Sequence, residues 1–432
     1  MNRLAWPSVI AQAVSAIALA AASPAHADSG VDLLSPETLL LVGDVRIAAV
    51  DGERSWLDRG FGKFRFGGHD ECTPSKGRVR ASLGSADLVW QPRLGWALSA
   101  TVVGTLQQRD RIEAGLSEAY LTFNPLGNGD VKFSARAGLM WPPVSLEHGG
   151  PNWPVRDTIT PSAINSWSGE EVKFVGAEGT MTMAIHGGKL GITGAIVDAD
   201  DTAGALIAYR GWALHDLKAL AWRKVPIPPL NSNIEEYQPP YTHPIKEMDG
   251  GFLKRPGWYA RASWQLRVPL RIDAIHYDNG GNPDAVDSYL EWGWRTRFDN
   301  VGLTAALGPA TELRAQVLRG HTVMGYVEDA RRLVDTRFHS AFALLTQRFG
   351  ERASLSARAE AFDTRNHGSE ITSDDDEHGW AFTAAGKRVL SSELTALIEF
   401  IHIDSRRAAR KRVGLAPHQT QNQLQASLRV RW

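Results

Sequence analysis

Apolar and polar residues alternate one by one in runs of about ten along much of this chain, the period of a strand with one greasy and one wet face. From Gln423 to Trp432 the alternation has no fault. Leu424, Ala426, Leu428, Val430 and Trp432 fall on one side, and Gln423, Gln425, Ser427, Arg429 and Arg431 on the other. Trp258–Arg267 sets Trp258, Ala260, Ala262 and Trp264 against Arg261, Ser263 and Gln265. Val131–Gly138 and Ala353–Phe362 divide in the same way, with alanines opposite Arg136, Arg358 and Glu360. In Tyr289–Phe298 the same reading puts Leu290, Trp292, Trp294 and Phe298 on the apolar face and Glu291, Arg295 and Arg297 on the polar one. Two segments, Phe338–Phe349 and Val172–Met183, alternate badly and are expected to pack against a loop or a neighbouring subunit.

Turn residues punctuate these runs, and the connections differ in length. Short ones are expected at Gln91–Arg93, Asn124–Asp130, Val268–Pro269, Gly308–Thr311, Phe349–Arg352 and Val389–Ser392. Long ones are expected at Gln107–Arg111, Met140–Gly169, Val225–Pro256, Asp278–Val286, Thr322–Asp335, Arg365–Glu377 and Ser405–Gln419. Lipid leaves no backbone group free to go unpaired, so strands of this kind span a membrane only as a closed cylinder. The expectation is an all-β, antiparallel transmembrane barrel of about 16 to 18 strands with short periplasmic turns and long extracellular loops. Residues 61–432 would form it, the last strand pairing with the first, and residues 28–60 would be an N-terminal extension outside the wall.

Met1–Ala27 reads as a secretory signal, with Arg3 before the apolar run Val9–Ala22 and the small-x-small site Ala25-His26-Ala27. No later stretch is long and apolar enough for a spanning helix. Export without such a helix is consistent with the outer membrane of a Gram-negative bacterium. Composition sharpens this little. Lys+Arg 47 against Asp+Glu 48 gives near neutrality, which argues against nucleic acid as a partner. Trp 15 is high, as suits an interfacial aromatic belt. Single Cys72 has no partner for an internal disulfide. The acidic runs Asp374–Glu377 and Asp198–Asp201 lack the glycine and terminal glutamate of a calcium loop, so neither a metal nor a cofactor is expected.

The stretch from Ala135 to Glu147, where a strand runs through Gly138 into Pro142 and Pro143, resembles the corresponding segment of the phosphate-selective porin superfamily. That resemblance implies a homotrimer of barrels, an inward-folded loop, and a cationic pore that passes small hydrophilic solutes by diffusion and favours anions.

A porin has no catalytic centre; charges on its lining set selectivity. The alternation nominates Arg136, Arg261, Arg267, Arg295, Arg297, Arg314, Arg358, Glu291 and Glu360 as pore lining. Arg outnumbers Lys about three to one, and its planar fork suits carboxylate or phosphate. Loop 140–169, stiffened by proline, is the expected constriction, carrying Trp141, Glu147, Trp153, Arg156, Asp157 and Trp167. Outer-membrane lipid and lipopolysaccharide are the expected surroundings, with the basic loop Arg406–Arg412 facing lipopolysaccharide phosphates. Two other classes stay open: a plugged structural or adhesive barrel, and an outer-membrane hydrolase. The second is not favoured, because the thirteen His fall in no Gly-x-Ser-x-Gly or His-Glu-x-x-His setting.

Overall fold

The computed structural model describes residues 33, 35–68, 77–109, 111–125, 129–199, 201–235, 238–244, 255–287, 290–369 and 374–432. Met1–Ala27, the expected signal, and Cys72 lie outside them. Sixteen antiparallel strands close into one barrel, in which β1 (Leu39–Val50) pairs with both β2 (Arg78–Trp90) and β18 (His418–Arg431). In order the others are β3 (Leu98–Gln108), β4 (Ile112–Phe123), β5 (Val131–Met140), β6 (Phe174–Ile185), β7 (Gly188–Ala199), β10 (Gly257–Leu266), β11 (Leu270–Asp278) and β12 (Trp294–Ala306), followed by β13 (Thr311–Glu328), β14 (Arg331–Phe349), β15 (Ala353–Asn366), β16 (Glu377–Val389) and β17 (Leu394–Arg407). The two-residue strands β8 (Val225–Pro226) and β9 (Tyr241–Thr242) form a separate ladder. No helix among the described residues is long and apolar enough to cross a membrane.

Alternation decides which side chains face out. Leu424, Leu428 and Val430 on β18 are exposed while Gln423, Gln425 and Ser427 are buried inside, and Ile47 on β1 is 59 % exposed between buried Arg46 and Ala48. A cylinder that is greasy outside and polar within is built for lipid.

The structure corrects four expectations. Residues 28–60 are not wholly an extension, since Leu39–Val50 is the closing strand and residues 51–68 turn back into the lumen. Gln107–Arg111 is not a long connection, since β3 runs to Gln108 and pairs there with Ile112, the first residue of β4. Thr322–Asp335 is no loop either: β13 and β14 run through it to a two-residue turn in which Asp329 and Ala330 both have positive φ, 48° and 62°, the left-handed pair that matches hairpin twist. Of Tyr289–Phe298 only Trp294–Phe298 is strand, and its faces are the reverse of those expected, while Tyr289 lies outside the described residues. Trp294 and Phe298 point inward and are buried, whereas Arg295 and Arg297 lie on the outer surface. Glu291 lies in the preceding loop, buried against His243.

These reversals share a cause with the poor alternation of Phe338–Phe349. On β14 the inward Phe338, Phe342 and Leu344 are as apolar as the outward Ala341 and Leu345. They meet an apolar filling, not water.

Candidate functional site

Three segments enter the barrel from its long-loop end: residues 51–68 after β1, residues 141–173 after β5, and residues 201–244 after β7. They interlock around Trp167 and Trp212, both fully buried. The Trp167 ring lies 4.9 Å from Phe338 and 5.3 Å from Phe298, and edge-on to Trp212. Its indole N–H donates to the Ala203 carbonyl at 3.0 Å, and that of Trp212 to the Asp363 carbonyl at 2.9 Å. The helix Ala203–Tyr209 reaches the wall because Gly204 has no Cβ, which would meet the Trp294 ring 2.0 Å away.

Loop 141–173 has few backbone partners of its own, so wall side chains satisfy it. Glu399 of β17 accepts the amides of Ile159 at 2.7 Å and Thr160 at 3.1 Å. Glu360 of β15 accepts the Ala163 amide at 2.6 Å, at the start of the helix Ala163–Ser168, where a negative charge suits the exposed N–H groups. Arg358, fully buried, pairs with Glu147 and Glu360, each at 2.9 Å, and donates to the carbonyls of Thr160 and Pro161. Glu147 also accepts the amide and hydroxyl of Ser162. Burial alone would raise the Glu147 carboxyl, but Arg358, Ser162 and Asn165 more than reverse this and hold it below the usual range. Gln316 of β13 accepts the Leu146 amide and donates to the Val144 carbonyl. Further along, Asp157 pairs with Arg314 at 2.7 Å.

The filling has two unlike sides. Against β12 to β17 it packs on an apolar layer of Phe298, Leu318, Phe342, Phe362, Ile401 and Ile403, next to the Arg314, Arg358, Glu360 and Glu399 contacts just described. Along β1 to β4 it is charged. Asp216 meets Arg46 at 2.5 Å and Arg65 at 3.2 Å, Arg46 and Arg429 meet Asp44, and Lys218 meets Asp87 at 3.3 Å. Burial would raise Asp216, yet Arg46 and Arg65 hold it well below the carboxylate range. Two cavities lie on this side. One, of about 40 Å³, lies among Asp44, Arg46, Trp153, Asp216, Lys218 and Arg429. The other, of about 30 Å³, lies among Arg109, Glu113, Glu171, His215, Lys218 and Arg223. Lys218 borders both.

At the short-turn end the lumen opens, and its wall is mainly basic. Arg136 and Arg271 keep 24 % and 42 % of their side chains in solvent, although Glu178 and Asp273 pair with them. Arg261 shares Asp273, and exposed Lys132 stands on the same inward face. At the opposite end a buried cluster holds residues 51–68 in place: Lys63 with Glu377, Arg407 with Asp375, and Arg410 with Glu53. Burial, with Arg407 and Arg410 close by, lowers Lys63 to about 7 against the pull of Glu377.

Of the nine nominated lining residues, Arg136, Arg261, Arg314, Arg358 and Glu360 face inward, and of these Arg314, Arg358 and Glu360 are covered by the loop. Arg267 is exposed in the turn after β10. The six loop residues all lie on the inserted segment. Trp141 and Trp153 stack 6.0 Å apart, and Arg156 receives the Lys387 ammonium on its carbonyl at 2.8 Å. Alternation placed Gln425 inward, but nothing in the pattern marks Asp87, Asp216 or Lys218, which converge from two segments, β2 and residues 201–244. Ser145, His148 and Glu170 line up at 2.7 and 2.8 Å in the order a hydrolase would use. The Ser145 hydroxyl, however, accepts the amides of Glu147 and His148 at 3.1 and 3.2 Å, which closes the loop's bend.

Solved structures of similar fold include the outer membrane channel DcaP of Acinetobacter baumannii (10 % identity, 92 % of this chain and 99 % of that one, TM-score 0.54). An anion-selective porin from Comamonas acidovorans is similar too (9 % identity, 91 % and 99 %, TM-score 0.52). At such identities the likeness is one of fold, that of outer-membrane barrels. No family model matches the chain, and no curated protein matches it in sequence.

Proposed function

We propose that the chain is an outer-membrane porin that passes small hydrophilic solutes along the charged β1 to β4 side of its lumen, with loop 140–169 setting the narrowest point. The observation that carries this is the unequal filling. Along β1 to β4 the wall and filling carry Asp44, Arg46, Asp216 and Lys218, charges suited to line a path for a hydrated solute, where the opposite wall adds the apolar layer of Phe298, Phe342 and Phe362. Residues 1–27 would be the export signal, and the open basic end would face the periplasm. Arg136, Arg261, Arg271 and Lys132 there favour anions, since a rim of one sign concentrates the opposite one. Trimerisation and kinship with the phosphate-selective porins belong to the same proposal. The DcaP channel and the anion-selective porin share the fold and are consistent with it.

A plugged structural barrel is the second reading. The cavities favour it, for 30 and 40 Å³ hold a water or two each and no larger solute without movement. Planar-bilayer recording of the refolded protein separates the two. Small steady steps whose reversal potential shifts towards anions in a salt gradient are expected; silence would favour the plug, and a cation shift would remove the selectivity. An enzymatic role is not proposed, and a fluorophosphonate probe should leave Ser145 unlabelled.

A further inference from the structure

The outer wall is not uniform. Along β2 the outward positions Val79, Ala81, Leu83, Ala86 and Leu88 are apolar from end to end. On β11 to β16 they change abruptly to ionisable groups towards the long-loop end. Directly opposed across neighbouring strands stand His276, Asp299, Arg319, His339, Asp363 and His378. Two residues further along stand Asp278, Arg297, His321, Arg337 and Arg365. Two residues the other way the row is Ala274, Val301, Val317, Ala341, Ala361 and Trp380.

The step comes at headgroup depth. On β14 outward Phe349 and His339 are ten residues apart, roughly 33 Å along the strand and about 25 Å along the normal at a tilt near 40°, the height of a barrel's apolar band. Aspartates there are already engaged: Asp299 by His276 and Arg319, Asp335 by His321, Asp363 by His339 and Arg365. Among the described residues no ion pair engages Arg297 or Arg337, and the Arg319 side chain is 73 % exposed. A surface groove of about 370 Å³ runs between Arg297, Arg319, His321, Arg337 and His339. It continues into an apolar groove of about 560 Å³ floored by Ala341 and Ala361 and flanked by Val301 and Val317. The small alanines make the trough.

We propose that this face binds a phosphorylated glycolipid of the outer leaflet, its phosphates held by Arg297, Arg319 and Arg337 and an acyl chain lying in the alanine trough. The proposal rests on the outer-membrane placement above. Guanidinium forks match phosphate oxygens in pairs, and a cationic groove continuous with an apolar one fits an amphiphile with an anionic head. A soluble anion would have no use for the trough, and a bare hydrocarbon none for the arginines.

The test titrates the folded full chain in detergent with diphosphoryl lipid A and with phosphatidylglycerol, read by native mass spectrometry. Lipid A is expected to bind about tenfold tighter, and the triple variant R297Q/R319Q/R337Q to lose about that factor. The variant A341W, which fills the trough and leaves the arginines, should lose it too, while R352Q, in the exposed short turn after β14, should not. Equal binding of both lipids, or an unaffected triple variant, would overturn the site. So would disulfide-linked dimers of A341C, which would mean that a second copy covers this face. Bilayer conductance of the same variants keeps the two proposals apart. Wild-type conductance with no lipid A preference defeats the site alone; lipid A binding without conductance defeats the pore alone.

Discussion

Glu399 shows how a single wall residue disciplines a long loop. Its carboxylate accepts two amides in a buried place, and the amides have no alternative partner there. Glu399→Ala should therefore cost about 3 kcal/mol, the range for stranding buried groups hydrogen-bonded to a charge. It should also raise single-channel conductance and current noise, because residues 155–163 are freed at the constriction. Urea unfolding and bilayer recording would check both; a stability loss with unchanged current would show that the loop does not set the passage. Lys63 acts at the other mouth. Its amine titrates near 7 when folded and near 10.4 in an unfolded chain. Between those values the folded protein binds fewer protons, so stability rises with pH across that window. Limited proteolysis within residues 51–68 should accordingly slow from pH 7 to pH 9, relative to K63M, in which the trend should vanish. Asp216, depressed by Arg46 and Arg65, works in the opposite range. Its stabilisation is complete above pH 4 and fades as the solution becomes more acid.

Elements of this barrel obey period two, but what the inward face meets decides whether that period is visible. Strands β5, β10, β15 and β18 read cleanly, since their inward partners are polar side chains or solvent. Strand β14 did not, because Trp167 and Trp212 lie behind Phe338. In Tyr289–Phe298 the aromatic residues suggested lipid when they were packing on the filling, and the arginines suggested lumen when they were outside. The β13–β14 turn was missed for a different reason. Hairpins of this type favour Asn-Gly, and here Asp329-Ala330 takes both left-handed positions. Ala330, at φ 62°, pays roughly 1 kcal/mol for its Cβ. Ala330→Gly should raise the unfolding midpoint by an equivalent of about 0.5 to 1 kcal/mol; a decrease would show that the alanine makes contacts worth more than the strain.

At the scale of the whole molecule, the barrel class and the inward loop were legible because both follow from local patterning and from the physics of lipid. Which inward charges stay wet was not. Arg358 and Arg136 alternate alike, yet one lies under the loop and the other keeps 24 % of its side chain in solvent. That difference depends on contacts between residues some two hundred apart in sequence. The proposed path past Lys218 is of the same kind, assembled from β2, residues 141–173 and residues 201–244. It is also the claim most open to direct measurement. In a C72S background, the variant K218C is recorded in a planar bilayer before and after a cationic methanethiosulfonate reagent. A larger initial conductance followed by a stepwise fall on labelling is expected; a current that ignores the reagent, while the thiol is shown by mass to have reacted, would contradict a passage along this side of the lumen.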